Sequence, residues 1–318
     1  MAERDRALND EGRAARLYYE HDMTHQEIGD LMGLSRIKVT RLIAKARETG
    51  MVRVTVRTDA PLFTREVDQL CKKFGLTAAW IAPTGPTFAA TRTSVARVAA
   101  HALRAVIRPG STIAIALSNT LAQTLEFIEH TDGAINVVPA TGSLLGPDDG
   151  TSAMQLALQL ARSFHGRAMN LPAPLVAASA QAAQSYLADP GIARTLDAAA
   201  SADLCLAGIG SLDGDGGLLM AQLSEDERQQ LLASGAVGDM AARFFDAAGE
   251  AVVTPLTQRI IGLELKEIAQ VDKRLAVTHG RNRHRAIQVA VARGLVNMLV
   301  TDFETARELI ESDFPVSG

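Results

Sequence analysis

Hydrophobic residues at helical spacing mark three short helices in the first fifty residues. In chain order, their apolar positions are Ala14, Leu17 and Tyr18, then Ile28, Leu31 and Met32, and then Val39, Leu42, Ile43 and Ala46. The first group predicts a helix over residues 12–21. Thr24 and Glu27 have the spacing of a capping box that opens the second helix, which Gly33 is suited to end. Ser35 is suited to cap the third helix.

Two short helices joined by a tight turn, the second of them basic, are typical of a helix-turn-helix motif. Residues 35–57 contain seven basic side chains and one acid, Glu48, which favours a polyanion as the partner of this segment. On the polar face of the third helix, the residues expected to contact DNA are Arg36, Ile37, Lys38, Thr40, Arg41 and Lys45. Ile37 is unusual on a solvated face, but it suits contact with a thymine methyl group. A solvated helix face is the alternative that charge alone leaves open.

Two further elements are predicted before the main body of the chain. The β-branched segment 51–56 predicts a strand, whose Arg53 and Arg57 are suited to contact phosphates. Residues 62–75 then carry one apolar stripe at helical spacing, formed by Phe63, Val67, Leu70 and Phe74. This stripe either pairs with a second copy of itself or packs on its own domain.

From Trp80 onward, short apolar runs alternate with helical patterns. The apolar runs predict buried strands over Thr112–Leu117, Ile135–Pro139, Leu204–Ile209, Ala251–Thr254, Leu275–Thr278 and Val296–Thr301. The helical patterns between them include Val95/Val98/Ala99/Ala102/Leu103/Val106, Leu156/Leu160 and Ile287/Val291. This alternation favours an α/β fold with a parallel sheet that is covered on both faces. Ligands of such folds bind beyond the carboxyl ends of the strands.

Polar loops follow four of the predicted strands, and a fifth polar segment, Gly235–Asp239, is expected to precede a helix. One of the loops opens a helix, where hydroxyl and N–H groups can hold an anion. An arginine in another loop suits a phosphate, and a carboxylate suits sugar hydroxyls, so together they predict a sugar-phosphate site. The residues predicted to bind this ligand are Ser118, Asn119, Thr120, Gly142, Asp239, Gly280 and Arg283.

Composition narrows the class of protein. The 318 residues are 47% hydrophobic and 21% charged, as in a globular protein. Apolar runs are too short for a membrane helix, and the polar first ten residues lack the apolar core of a signal peptide. Two cysteines, Cys71 and Cys205, predict neither a disulfide framework nor a metal cluster. We therefore expect a cytoplasmic protein with no cofactor, no metal and no contact with a membrane.

Several segments together resemble the SorC family of bacterial sugar-responsive transcriptional regulators, sometimes called DeoR-type. The segments are Met23–Arg47, Leu171-Pro172-Ala173-Pro174-Leu175, Gly208-Ile209-Gly210, Gly235–Asp239 with Arg243-Phe244-Phe245-Asp246, and Leu295–Ala306. They occur in order over nearly the whole chain. The resemblance implies a winged-helix-like DNA-binding domain and an effector domain related in fold to sugar-phosphate isomerases and glucosamine-phosphate deaminases. It also implies tetramers built from dimers, which leave or rearrange on DNA when a phosphorylated sugar binds.

The resemblance also assigns roles by position. Ser118, Asn119 and Thr120 match the phosphate loop of the family, Asp239 matches its sugar-contacting acid, and Arg283 matches its lysine near the phosphate. The chain departs from the family at Leu117-Ser118-Asn119, at His279-Gly280 and at Arg283 itself. We divide the chain into a helix-turn-helix domain (1–58), a linker helix and connection (59–90), and an effector-binding and oligomerisation domain (91–318).

Two other functions compete with this hypothesis. A sugar-phosphate isomerase or deaminase of the same fold would use Asp239 as a base, but the sequence shows no second acid–base partner. A DNA-binding protein without an effector would leave the α/β part of the chain unexplained. We therefore expect no enzyme but a regulator of a carbohydrate-catabolism operon, most simply a repressor. Its partners would be operator DNA, a small phosphorylated sugar or polyol, and further copies of itself as a dimer or tetramer.

Overall fold

A computed structural model describes residues 2–52, 62–144, 152–212 and 218–313. The chain divides into two units, Met1–Asp59 and Ala60–Gly318. The smaller unit contains helices α1 (Ala2–Tyr19), α2 (His25–Met32) and α3 (Arg36–Glu48). These are the three predicted helices, although α1 begins earlier than its apolar pattern indicated.

The predicted caps determine where α2 and α3 begin. The Thr24 hydroxyl accepts a hydrogen bond from the N–H of Glu27, whose carboxylate accepts one from the N–H of Thr24 at 2.8 Å. Gly33 ends α2 in the left-handed conformation, with φ 67°, which glycine adopts without steric cost. The Ser35 hydroxyl accepts a hydrogen bond from the N–H of Lys38 at 3.3 Å. The capping box and both other predicted caps are therefore confirmed.

The apolar stripes of the three helices meet in one small core, in which Ala14, Ile28, Val39 and Ile43 are buried. Helices this short gain most of their stability from such packing. The strand predicted over 51–56, with Arg53 and Arg57, lies almost entirely outside the described residues.

Helices and strands alternate through the described residues of the larger unit. In chain order they are α4 (Thr64–Phe74), β1 (Ala78–Ala82), α5 (Phe88–Val106), β2 (Thr112–Ile115), α6 (Asn119–Glu126), β3 (Asn136–Pro139), α7 (Ala153–Ser163), β4 (Arg167–Ala168), α8 (Ala180–Leu187), α9 (Pro190–Ala200), β5 (Leu204–Ala207), β6 (Ile209–Gly210), α10 (Glu225–Ala233), β7 (Ala236–Met240), β8 (Arg243–Asp246), α11 (Leu265–Gln270), β9 (Lys273–Val277), α12 (His284–Ala292), β10 (Met298–Asp302) and α13 (Phe303–Glu311). Within the described part of the chain, no helix is both long enough and apolar enough to cross a membrane.

Seven of these strands form one parallel sheet in the order β1-β10-β9-β5-β2-β3-β4. Separate apolar cores cover its two faces, which confirms the predicted α/β fold. Five of the six predicted strands belong to this sheet. The sixth prediction, Ala251–Thr254, is wrong, because only Ala251 forms a bridge, to Phe245, and Val253 is exposed. A β-branched run without a neighbouring strand to pair with does not form a strand.

Residues 59–90, expected to form a linker helix and a connection, contribute α4 and β1 to the larger unit. Strand β1 pairs with β10 at one edge of the sheet. Leu70 and Phe74 of α4 are buried in the core on one face of that sheet. Of the two alternatives for the apolar stripe of α4, packing on its own domain is therefore the one observed.

A small antiparallel sheet, β6-β7-β8, corrects the prediction that Asp239 lies near the start of a helix. Asp239 lies within strand β7. Ala241 and Ala242 form the turn to β8 with positive φ angles of 53° and 62°, which alanine rarely adopts. The Asp239 carboxylate accepts a hydrogen bond from the N–H of Ala242 at 3.2 Å, and this bond stabilises the turn.

Arg243 joins the loop before α11 to the small sheet. Its buried guanidinium donates hydrogen bonds to the carbonyls of Leu263 (2.8 Å), Gly262 (2.8 Å), Ile260 (3.3 Å) and Thr257 (3.4 Å), and it pairs with Glu264 at 3.0 Å. Gly262 in turn forms a bridge with Thr141, in the loop after β3. Arg243 therefore orders a segment that lies against one of the loops at the carboxyl edge of the parallel sheet.

We expect Arg243→Met to lower the free energy of unfolding by about 3 kcal/mol, because the buried carbonyls lose their donor and Glu264 loses its cation. Urea denaturation of the full chain measures this loss. Arg104→Met is the control, since Arg104 and Glu129 form a surface pair at 3.5 Å and such pairs contribute about 0–1 kcal/mol. Equal losses in the two variants would contradict the role of Arg243.

Candidate functional site

The first candidate surface is the polar face of α3. Val39, Ile43 and Ala46 hold the opposite face of this helix in the core. The six residues predicted to contact DNA are all exposed: Arg36, Ile37, Lys38, Thr40, Arg41 and Lys45. Ile37 is 68% exposed, so an apolar side chain projects from a basic surface.

These six side chains are not equivalent. Lys45 Nζ lies 3.3 Å from Glu11 Oε1, and Glu11 is only 2% exposed, so this ammonium group balances a buried carboxylate of its own unit. The Thr40 hydroxyl lies 3.0 Å from the carbonyl of Arg36 and 3.1 Å from His25 Nδ1. The charged groups of Arg36, Lys38 and Arg41, in contrast, have no partner among the described residues.

The second candidate site is a cavity of about 620 Å³ in the larger unit. It lies beyond the carboxyl ends of three adjacent strands of the parallel sheet, β2, β5 and β9. Of the seven predicted ligand-binding residues, five line the cavity, namely Ser118, Asn119, Thr120, Asp239 and Arg283. Parallel pairing brings together loops that are far apart in the sequence, as predicted for this class of fold.

The N-terminus of α6 forms one wall of the cavity. Ser118 caps this helix by accepting a hydrogen bond from the N–H of Leu121 at 3.4 Å. The N–H groups of Asn119 and Thr120, in the first turn, have no acceptor within the helix. A Cβ atom at Gly208 would lie 2.9 Å from Ser118 Oγ, so the loop after β5 approaches Ser118 closely only because residue 208 is glycine.

Asp239 contributes a carboxylate to the cavity from strand β7. It lies so close to Gly210 that a Cβ atom there would overlap its Oδ1. Burial raises the pKa of Asp239 to about 6, although the hydrogen bond from Ala242 and the charge of Arg283 act in the opposite direction. Asp239 is therefore a carboxylate at neutral pH, with the positive charge of Arg283 near it.

His279 and Phe88 form a further part of the wall. Their rings lie 4.6 Å apart between centroids, and the Arg283 guanidinium carbon lies 5.4 Å from the Phe88 ring centre. Burial and the charges of Arg283 and Arg92 together lower the pKa of His279 to about 4, although the charge of Asp302 acts in the opposite direction. The imidazole is thus neutral at pH 7, and the positive charge in this region is carried by the arginines.

Two predicted ligand-binding residues, Gly142 and Gly280, do not line the cavity. The N–H of Gly142 donates to the carbonyl of Ile261 at 2.9 Å. Gly280 has φ 103°, and its N–H lies 3.4 Å from Asp302 Oδ2. The residues just before these glycines, Thr141 and His279, line the cavity in their place.

The lining residues that were not predicted include Phe88, Arg92 and Arg228, which lie on other elements, and Thr141, which precedes Gly142 in a loop that was predicted. Phe88 and Arg92 lie in the first turns of α5, after the strand β1 that had been assigned to a connection. Arg92 has no hydrogen-bond or ion-pair partner among the described residues. Had β1 been identified, the rule that ligands lie beyond the carboxyl ends of strands would have pointed to these two residues.

Comparisons with known proteins agree with this architecture. A family model described as "Putative sugar-binding domain" matches residues 63–311, and one described as "Sigma-70, region 4" matches residues 11–49. The chain is 30% identical over 316 residues to the transcriptional regulator LsrR of Enterobacter sp. (strain 638), which covers 96% of this chain and 94% of that protein. It is 27% identical over 300 residues to the deoxyribonucleoside regulator of Bacillus subtilis (strain 168), covering 93% and 96% of the two chains.

A solved structure shows the same fold. The full-length sorbitol operon regulator SorC of Klebsiella pneumoniae aligns with a TM-score of 0.76 at 24% identity, covering 94% of this chain and 97% of that chain. These relatives support a transcriptional regulator and give no support to the isomerase or deaminase alternative. Because the sugar-binding match spans most of the chain and the relatives align along nearly all of it, the protein belongs to the SorC, or DeoR-type, family of sugar-binding bacterial transcriptional regulators.

Proposed function

We propose that this regulator is a cytoplasmic repressor of a carbohydrate-catabolism operon, and that a phosphorylated sugar or polyol in the cavity changes its affinity for operator DNA. The observation that carries the proposal is the composition of the cavity wall. Among the described residues, it combines the N-terminus of α6, three arginines (Arg92, Arg228 and Arg283) and one carboxylate, Asp239. An anion suits the helix terminus and the arginines, and sugar hydroxyls suit the carboxylate.

Arg92 and Arg283 support a phosphate in particular. Arg92 lies on α5 and lines the same cavity as the first turn of α6. A hydrogen bond of 2.9 Å from Gln123 of α6 to Thr93 joins the two helices. Two guanidinium groups and the first turn of a helix supply more donors than a neutral sugar requires. The names of the relatives, which include a deoxyribonucleoside regulator and a sorbitol operon regulator, support a carbohydrate as the rest of the ligand.

The exposed basic face of α3 supports its role as the recognition helix. In a dimer or tetramer, two such helices would enter successive major grooves of a repeated or palindromic operator, about one DNA turn apart. The DNA-binding residues we propose are Arg36, Ile37, Lys38, Thr40 and Arg41, with Lys45 reaching DNA only if it leaves Glu11. Coupling to the ligand is reciprocal, so DNA changes the affinity for the ligand by the same factor.

We propose that the cavity binds its ligand without chemical change. A general base that works at neutral pH needs a pKa close to 7. The pKa of His279, about 4, is far below that value. Asp239, with a pKa of about 6, would then have no acid partner among the described residues that line the cavity, and a regulator requires none.

We expect Arg41→Ala to weaken operator binding by about 1–3 kcal/mol if Arg41 contacts a base, or to lower the salt slope by about 0.9 if it contacts a phosphate. Fluorescence anisotropy at several salt concentrations, on a duplex selected by the wild-type protein from a random pool, measures both quantities. Arg16→Ala is the control, because Arg16 is an exposed arginine of α1 paired with Glu20. An unchanged affinity and slope for Arg41→Ala would show that α3 is not the recognition helix.

We expect Arg283→Ala and Arg92→Ala each to weaken binding of sugar phosphates about tenfold or more, since a hydrogen bond to a charged group contributes about 1.5–3 kcal/mol. Operator affinity without the ligand should stay unchanged. Calorimetric titration measures the first quantity, and anisotropy measures the second. The controls are Arg281→Ala in the same loop, whose side chain pairs with Glu304 and Glu308, and Arg97→Ala on α5, which lies over Phe127. Loss of operator binding by the two test variants would contradict their role.

The raised pKa of Asp239 gives a test of its burial. Because its folded-state pKa is above the unfolded value, ionisation removes stability as the pH rises from about 4 to about 6. We therefore expect the melting temperature of Asp239→Asn, relative to the wild type, to rise between about pH 4.5 and about pH 7.5. A flat difference would mean that Asp239 titrates as an exposed carboxyl group.

Asp302→Asn is the control for that measurement. Burial would raise the pKa of Asp302, but hydrogen bonds from Thr305, Thr84 and the Gly280 amide hold it below its usual value. A depressed pKa contributes stability that is fully present above about pH 4. The melting temperature of Asp302→Asn relative to the wild type should therefore be nearly constant over the same pH interval.

A further inference from the structure

Two polar side chains in the cavity wall are buried without a hydrogen-bond partner among the described residues. One is the hydroxyl of Thr141, which is 2% exposed, and the other is Nδ1 of His279, which is 1% exposed. Both residues line the cavity. Buried polar groups in folded proteins are almost always satisfied, so each exception requires an explanation.

Two other hydroxyl groups of the same wall already form hydrogen bonds within the chain. Thr278 donates to the carbonyl of Ile209 at 3.2 Å, and Ser118 accepts from the N–H of Leu121. Thr141 and His279 differ from these two residues, because their buried polar atoms have no hydrogen-bond partner among the described residues. They enter the cavity from different loops, which follow β3 and β9.

The protonation state of His279 determines what it can bind. With a pKa of about 4, the ring is neutral at pH 7, so one nitrogen donates and the other accepts. A threonine hydroxyl also donates and accepts. Both groups can therefore exchange hydrogen bonds with an alcohol. Neither carries the positive charge that would attract an anion.

We propose that Thr141 and His279 are specificity-determining residues that hydrogen-bond hydroxyl groups of the effector and so select a polyhydroxylated phosphate over a bare phosphate. This inference rests on the proposed function, because the arginines and α6 supply the affinity for the anion. A ligand that lacks the matching hydroxyls leaves Thr141 and His279 without partners, and it therefore binds more weakly.

The test compares the affinity of the full chain for inorganic phosphate with its affinity for phosphorylated sugars and polyols. Thermal-shift titrations yield apparent Kd values for inorganic phosphate, sn-glycerol 3-phosphate, D-ribose 5-phosphate, D-glucose 6-phosphate and D-fructose 6-phosphate. We expect at least one sugar phosphate to bind the wild type more tightly than inorganic phosphate does. Thr141→Val and His279→Phe should each reduce that preference about tenfold, while the affinity for inorganic phosphate stays the same.

Matched variants separate recognition from structure. Thr301 is also fully buried, and its hydroxyl also has no partner among the described residues, but it does not line the cavity. Thr301→Val should therefore keep the wild-type preference, and Thr141→Ser, which retains the hydroxyl, should keep most of it. Thr141→Val should melt no lower than the wild type without ligand, because it removes an unsatisfied buried group.

Each remaining outcome is decisive. An unchanged preference in both Thr141→Val and His279→Phe would overturn the inference, and so would a wild type that binds every sugar phosphate no better than inorganic phosphate. In both cases the anion site itself would stand. A wild type that binds none of the five compounds would instead overturn the proposed function on which the inference rests.

Discussion

The parallel pairing of β2, β5 and β9 is the constraint on which the cavity depends. Leu206 of β5 lies in register with Ile115 of β2 on one side and with Leu275 of β9 on the other, so the three carboxyl ends meet at one edge. Strands buried on both faces carry apolar side chains, and polar groups therefore collect in the loops beyond them. Gly208 and Gly210 let the segment that follows β5 approach Ser118 and Asp239 more closely than any side chain would permit.

Burial then determines the electrostatic character of the cavity. It keeps His279 neutral and raises the pKa of Asp239, so fixed positive charge rests on the guanidinium groups, which stay protonated in proteins. Interactions between charges are stronger in a partly buried site than in water. This distribution of charge supports the proposed ligand, which carries an anionic group and several alcohols.

In the smaller unit, the residues that stabilise the fold and the residues proposed to contact DNA lie on opposite faces of α3. Val39 and Ile43 of α3 are buried, whereas Arg41 and Lys38 extend into solvent. Lys45 lies on the face proposed to contact DNA, but its ammonium group pairs with the buried Glu11. This pairing indicates that Lys45 stabilises the smaller unit. A buried carboxylate that lost its cation would destabilise so small a core, and this limits the freedom of Lys45 to bind DNA.

The amino-acid sequence alone determined the helices, caps and strands that depend on residues close together in the chain. The Thr24–Glu27 capping box, the apolar stripe of α3 and the apolar runs of β2, β5 and β9 each depend on residues close together in the chain. The cap at Ser118 was predictable for the same reason. These signals were sufficient to predict the helix-turn-helix unit and the parallel sheet, and to name five residues that line the cavity.

Only the tertiary structure decided the rest. Asp239 lies on a strand because β7 pairs with both β6 and β8. Its carboxylate stabilises the turn between β7 and β8, in which two alanines have positive φ angles that no sequence pattern predicts. Thr141, rather than Gly142, faces the cavity because Gly142 is held against Ile261 and Pro174. Arg92 belongs to the same wall because β1 joins the edge of the sheet. The physical reason is common to all three, since which side chain reaches a cavity depends on contacts between residues that are far apart in the sequence.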